Sequence, residues 1–167
     1  MATILNDLGR RLKYGKPVVI VSGLPRSGTT MAMKMLEAGG MEMVVDNIRT
    51  PDEDNPKGYY EDERVKELAE MQDKTWLREA RGKVIKVVSS LLNYLPPDNF
   101  YKVVFMRRNL HEVLASQTKM LDRRGEESHS EDEDLLAMYQ SNLDKVYFEI
   151  RILAYIVALY LILSDVV

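Results

Sequence analysis

Eight residues constrain this chain more than any others. Gly23-Leu24-Pro25-Arg26-Ser27-Gly28-Thr29-Thr30 stand between a β-branched run and a helix-forming run. Upstream, Lys16 to Ser22 (KPVVIVS) is a short β-branched run closed by Gly23, which suggests a buried parallel strand. Downstream, Thr29 to Ala38 (TTMAMKMLEA) is rich in strong helix formers and stops at Gly39-Gly40, a C-terminal cap signal. A strand that turns through glycine into a helix is the opening of a parallel α/β unit. In such a turn the backbone N–H groups converge, and the helix N-terminus adds the positive end of its dipole. The segment is therefore read as an anion site.

The rest of the chain repeats the alternation. Met41 to Val45 reads as a second short strand, and Asp46 to Tyr60, with its prolines, asparagines and Gly58, as loop. Glu61 to Arg81 reads as a helix whose apolar side carries Val65, Leu68, Met71 and Trp76. Lys83 to Val88 and Tyr101 to Met106 read as strands separated by a Pro96-Pro97-Asp98 turn. Leu110 to Arg124 is a helix stopped by Gly125, Glu126 to Asp134 an acidic exposed loop, and Leu135 to at least Tyr147 a further helix. The expected fold is α/β, a parallel sheet flanked by helices on both faces, with ligands beyond the carboxyl ends of the strands. No repeat or linker divides residues 1–167, so a single domain is expected.

Composition narrows the function classes. A net charge of −3 gives no global attraction to nucleic acid, so an anion must be held by local amides and cations. The chain has no cysteine, which removes disulfides, thiolate chemistry and cysteine-based zinc sites and is compatible with the cytoplasm. The N-terminus, MATILNDLGRRLKYGK, lacks the apolar core of a signal peptide. Ile152 to Leu163 is apolar for 12 residues, against the roughly 20 that a membrane span needs. It is read as a buried helix or strand, and no membrane span is expected.

The loop nearly matches the GxxxxGK[ST] phosphate pattern, with two glycines at the required spacing and Thr30 at the hydroxyl position. Thr29 stands where that pattern has lysine, and Arg26 places the cation inside the loop instead. This suits one phosphate carrying a leaving bond better than the β,γ-phosphates and magnesium of a nucleoside triphosphatase. The pair Arg107-Arg108 follows the strand Tyr101 to Met106, where solvated charges at a helix start or an anion contact are both open. Arg108 can offer its planar fork at the strand tip, and Ser116 lies eight residues further on, about two helical turns away. Arg107 is one residue out of that register.

These two segments carry a family resemblance. Pro25-Arg26-Ser27-Gly28-Thr29-Thr30 resembles the 5′-phosphosulfate loop of the sulfotransferases, Pro-Lys/Arg-Ser-Gly-Thr-Thr, at every position. Arg108-Asn109 with Ser116 resembles the family's 3′-phosphate site, and Asn55 to Glu61 (NPKGYYE) is similar to a segment of bacterial sulfotransferase-like proteins. The resemblance implies a P-loop nucleotide-binding fold and sulfuryl transfer from 3′-phosphoadenosine-5′-phosphosulfate (PAPS), with no metal required. The acceptor would be a hydroxyl or amine on a small molecule, carbohydrate or peptide. It implies that Pro25, Arg26, Ser27, Gly28, Thr29, Thr30, Arg108 and Ser116 bind the cofactor, with Arg26 also touching the oxygen that bridges phosphorus and sulfur. Three positions depart from the family. Lys86-Val87-Val88 aligns with the Lys-Thr-His triplet of the cytosolic enzymes, and Met31 replaces a tryptophan near the adenine. The late Arg-Lys-Gly segment has no counterpart before Val167, so part of the usual C-terminal region is expected to be missing.

Sulfuryl transfer rests on positioning and charge stabilisation. Arg26 is the leading catalytic candidate, with Lys86 as a second cation. His111, at a helix start, and His129, in the acidic loop, read as surface residues. By resemblance to the protein-tyrosine and heparan sulfotransferases that use a glutamate, the candidate base is Glu61 or its neighbour Asp62, although acids also suit a helix start through the dipole alone. The acidic run Glu126, Glu127, Glu131, Asp132, Glu133 and Asp134 reads as a solvated loop, with steering of a cationic acceptor as the alternative. Two other functions stay open: an atypical P-loop kinase or NTPase, and a non-catalytic nucleotide-binding protein of the same fold. The sequence specifies neither acceptor nor oligomeric state.

Overall fold

The β-branched runs do become strands, all parallel. In the computed structural model, which describes residues 2–46, 48, 58–125, 133–152 and 159–162, Val18–Gly23 forms β1, Val84–Val88 β2, Tyr101–Arg107 β3 and Leu159–Ile162 β4. Their order across the sheet is β2-β1-β3-β4, with Ile20 beside both Ile85 and Val103 in register. Four helices accompany them: α1 (Ala2–Tyr14), α2 (Thr29–Ala38), α3 (Leu110–Arg124) and α4 (Glu133–Ile152). The chain is thus α/β with a small open parallel sheet.

Alternation along the strands divides the core in two. Val18, Ile20, Ile85, Val87, Val103 and Phe105 face one side, where Val113 of α3 and Leu143 and Val146 of α4 cover them. Val21, Val84 and Met106 face the other side, where Ala32 and Met33 of α2 pack. Most side chains on both faces are withdrawn from water, which is why apolar residues occupy successive positions, interrupted in β2 by Lys86.

β1 sits centrally, with β2 on one flank and β3 on the other. Chain leaving β1 returns on the β2 side, whereas chain leaving β3 runs on to β4 at the opposite edge. The carboxyl ends of β1 and β3 therefore diverge, leaving a crevice between the two loops that follow them. These loops are the glycine-rich segment 24–28 and the Arg108-Asn109 segment.

Two expectations are corrected. Glu61 to Arg81 is not a helix; it contains two 3₁₀ turns, Glu63–Val65 and Thr75–Ala80. Side chains take over the local backbone bonding. Asp62 accepts from the Arg64 N–H at 3.1 Å, and Asp73 from the Thr75 N–H at 2.9 Å. Buried Val65 and Leu68, then Leu77 and Ala80, recur every three residues, a spacing that 3₁₀ geometry also satisfies. Met41 to Val45 is not a full strand either, because only Met43 bridges to Val84 of β2. Elsewhere among the described residues the expected strands and helices form, and α3 ends at a left-handed Gly125, the stop the sequence suggests, with Asn109 capping its start. Of the expected loop Asp46 to Tyr60, residues 47 and 49–57 lie outside the described residues. Within the expected acidic loop, Glu133 already opens α4, and residues 126–132, including His129, lie outside the described residues. Of the apolar run Ile152 to Leu163, Ile152 ends α4 and Leu159–Ile162 form β4, while 153–158 and Leu163 lie outside the described residues. Among the described residues no helix is long and apolar enough to cross a membrane.

Gly23, at the end of β1, has φ 154°, and a methyl group there would lie 2.5 Å from Ser27 Oγ and 2.8 Å from the Met106 carbonyl oxygen. Gly40 also has a positive φ, 85°, but nothing lies within 4 Å of the space a methyl would occupy. Gly23→Ala is expected to lower the urea-unfolding free energy by about 1–3 kcal/mol through overpacking. Gly40→Ala should lose only about 1 kcal/mol, from its left-handed backbone.

Candidate functional site

The segment after β1 is shaped by backbone torsions. Arg26 has φ 69° and Gly28 φ 93°, with Ser27 between them outside the left-handed region. Alternation of this kind turns successive amides toward a common point. Gly28 then caps α2, its carbonyl accepting from the N–H groups of Met31 and Ala32. Arginine in a left-handed conformation is unfavourable, so the loop holds Arg26 there against its intrinsic preference.

The crevice between the β1 and β3 loops is a cavity of ≈ 530 Å³. Pro25, Arg26, Gly28, Thr29 and Thr30 line it from the loop and the first turn of α2. Arg108 and Ser116 line it from the β3 side, and Lys86 and Glu61 from the β2 side. Every candidate residue except Ser27 thus borders one space. Ser27 is buried, borders a neighbouring cavity of ≈ 520 Å³, and its Oγ has no hydrogen-bond partner among the described residues. Arg107, one residue out of the Arg108 register, and His111 border that second cavity and not the first.

Hydrogen bonds tie the two arginine-bearing segments together across 90 residues of sequence. Arg26 Nε donates to Ser116 Oγ at 3.1 Å, and Arg108 Nη1 donates to the Arg26 carbonyl at 3.3 Å. Arg108 Nε also donates to Glu112 Oε2, one helical turn further along α3, at 2.7 Å. Ser116 is therefore brought to Arg26 directly.

On the other flank, Lys86 alternates with the core residues of β2 and emerges at the cavity. Its Nζ donates to the Tyr59 carbonyl at 2.7 Å and to Glu61 Oε1 at 3.1 Å, and the two side chains are only 12% and 20% exposed. Glu61 belongs to a strap, residues 58–66, pinned from several sides. Asp62, buried and also bordering the cavity, takes both Arg64 Nε and Nη2 at 2.9 and 2.8 Å. That guanidinium lies 4.3 Å from the Trp76 ring centroid, a cation–π contact. Tyr60, with φ 51°, donates its hydroxyl to Glu37 of α2, whose carboxylate raises the phenol's pKa. Asp62 is thus committed to Arg64, which leaves Glu61 as the carboxylate that faces the cavity beside a lysine.

The sequence pointed to Arg26, Lys86, Glu61, Arg108 and Ser116 but not to the groups that hold them. The carbonyl of Tyr59 leaves no side-chain signal, and Arg64 with Trp76 looks like an ordinary helix face when read by spacing. Tyr59, Leu91 and Met120 add apolar surface to the cavity. Among the described residues no cluster of three or more histidine and acidic side chains is placed to hold a metal. No family model matches this sequence, and no curated protein or solved structure matches it either.

The strap has a titratable pin. The Asp46 carboxylate accepts from the backbone N–H groups of Ile48 at 2.9 Å and Glu63 at 2.6 Å, and these bonds hold its pKa below the usual carboxylate range. A depressed folded-state pKa contributes stability above the unfolded value and loses it as pH falls through the folded one. Wild type is therefore expected to exceed Asp46→Asn in urea stability at neutral pH, with the gap closing below about pH 4. A constant gap would remove the carboxylate from this role.

Proposed function

We propose that this chain is a sulfotransferase of the P-loop α/β type, moving a sulfuryl group from PAPS to a hydroxyl or amine acceptor. One observation carries the reading. The loop residues Pro25, Arg26, Gly28, Thr29 and Thr30 and the distant pair Arg108 and Ser116 border the same cavity, and Arg26 bonds to both members of that pair. Two anion-binding elements on a single space suit a ligand with phosphate groups at both ends of a nucleoside.

The residues present fit such a nucleotide. Gly23 and Gly28 keep the loop backbone bare of side chains, and the buried Ser27 Oγ is a polar atom still lacking a partner among the described residues. Arg26, Ser27, Thr29 and Thr30 would hold the 5′ end, Arg108 and Ser116 the 3′-phosphate. The nucleotide supplies a sulfuryl group on a phosphate leaving group. Arg26 supplies positive charge beside the departing oxygen, where a fixed cation in a partly enclosed site is most effective. Lys86 adds a second positive charge from β2. Glu61, within hydrogen-bond reach of Lys86, accepts the acceptor's proton, and the carboxylate remains stabilised by its lysine neighbour before that transfer. The apolar surface of Tyr59, Leu91 and Met120 excludes water from the acceptor side.

A second reading draws on Thr30, which borders the cavity at the position where a P-loop NTPase ligates magnesium. Calorimetric titration separates the two. Wild type is expected to bind 3′,5′-adenosine bisphosphate in preference to ATP with magnesium. Arg108→Ala should weaken the bisphosphate about tenfold to a hundredfold, the value of a lost charged hydrogen bond. Preference for ATP with magnesium, or an Arg108→Ala affinity equal to wild type, would sink the sulfotransferase reading.

Glu61→Gln tests the base. It should retain bisphosphate affinity while turnover on an acceptor found by screening falls by about 10²–10⁴. Full turnover would dismiss Glu61. Bisphosphate binding with no turnover by wild type on a broad acceptor panel would mark the chain as a non-catalytic nucleotide-binding protein.

A further inference from the structure

Over residues 7–14, where its side chains are described, the N-terminal helix is mounted with its polar side inward. Asp7 of α1 pairs with Lys102 at 3.0 Å, and the guanidinium of Arg10 lies over the Phe100 ring, 5.7 Å from its centroid. Asp7, Arg10 and Tyr14, spaced by three and four, are the part-buried face. Leu8 and Leu12, one helical turn apart, stand on the opposite face at 55% and 82% exposure. A helix that packs on a domain ordinarily buries its apolar stripe and gives its polar side to water. Here the arrangement is reversed.

Charge indicates what the leucines meet. Residues 7–16 carry Arg10, Arg11, Lys13 and Lys16 against the single acid Asp7, in a chain whose net charge is −3. Arg11, Lys13 and Lys16 are exposed. Arg11 flanks the leucine row, Lys13 lies over the Tyr14 ring, and Lys16 follows the end of the helix. A partner for this face must therefore combine negative charge with an apolar phase a few ångströms deeper. Pairing of two copies through α1 would set basic segment against basic segment. An anionic bilayer offers both properties, with leucines entering the acyl boundary and lysine and arginine stems reaching the headgroups.

We propose that α1 docks this protein peripherally on an anionic lipid surface through Leu8, Leu12 and the basic side chains beside them. The placement suits a working site, because Phe100 and Lys102 mark the amino-terminal end of β3. Docking there leaves the cavity at the carboxyl ends of the strands open to water. One 13-residue helix with two exposed leucines is a weak anchor, so binding is reversible and salt-sensitive. The inference stands independently of which nucleotide the cavity takes.

Co-sedimentation of the full chain with vesicles tests it, comparing phosphatidylcholine alone with phosphatidylcholine containing phosphatidylglycerol. Binding is expected only to the anionic vesicles, weakening as salt is raised. Leu12→Glu should reduce it by about tenfold or more, and Lys13→Glu likewise. Both residues are exposed, so unchanged circular dichroism is expected to show that the fold survives. Leu12→Gln, which adds no charge, should also weaken binding and so separates loss of apolar contact from repulsion. Three results would overturn the proposal: no binding to anionic vesicles, binding that Leu12→Gln leaves intact, or a solution dimer that Leu12→Glu converts to monomer.

Discussion

The ladder that seats β1 between β2 and β3 governs the rest of the molecule. Once Ile20 lies beside Ile85 on one flank and Val103 on the other, the peptide leaving β1 and the peptide leaving β3 must part company. The space opened between them is where the glycine loop, Arg108 and Ser116 meet. Strand parity does the remaining placement. Lys86 shares its side of β2 with Val84 rather than with Ile85 and Val87, so it rises toward α2 and the strap rather than into the larger core. A one-residue slip of β2 would carry that lysine to the other face.

Burial raises the stakes for the lysine and its carboxylate partner. Removing charges from water is costly, and a buried pair is stabilising only when its remaining bonds are satisfied. Lys86 meets that condition by reaching a carbonyl as well as Glu61. Such a pair is retained more readily for what it specifies than for the stability it contributes. In this chain it fixes which end of the strap approaches β2. Next to Glu61 the same strap is held by the bidentate Asp62–Arg64 contact, whose guanidinium stacks on the Trp76 indole.

Much of this was legible from residue order, for reasons that differ by element. The strand, glycine loop and helix from Val18 to Ala38 were readable because each carries a strong local signal: β-branched runs, positive-φ positions and helix formers. Leu110 to Arg124 was readable because Gly125 marks its end; the Asn109 cap at its start is a finding of the structure. The stretch 61–81 was not, because apolar residues every three positions suit both an α-helix and a 3₁₀ turn, and Asp62 and Asp73 tipped the choice through bonds with their own backbone. α1 was missed for another reason. Residues 1–16 could be recognised as lacking a signal peptide's apolar core, but periodicity cannot tell which face of a helix the domain will take. At the cavity, the cations were visible as motif positions, whereas the carbonyl of Tyr59 could be found only by folding the chain.

The hydrogen bond from Arg26 to Ser116 has a thermodynamic consequence of its own. A long guanidinium side chain at a water-filled crevice ordinarily samples many rotamers, and fixing it gives up roughly 2 kcal/mol of freedom. In this chain Ser116 has already restricted it, and Arg108 has tied down the peptide that carries it. The loss of disorder is thereby taken up in folding, and an anion bound as proposed would meet a cation whose position was decided beforehand. Taking the place of the Ser116 hydroxyl, that anion would turn a neutral acceptor of the Arg26 Nε–H into a charged one.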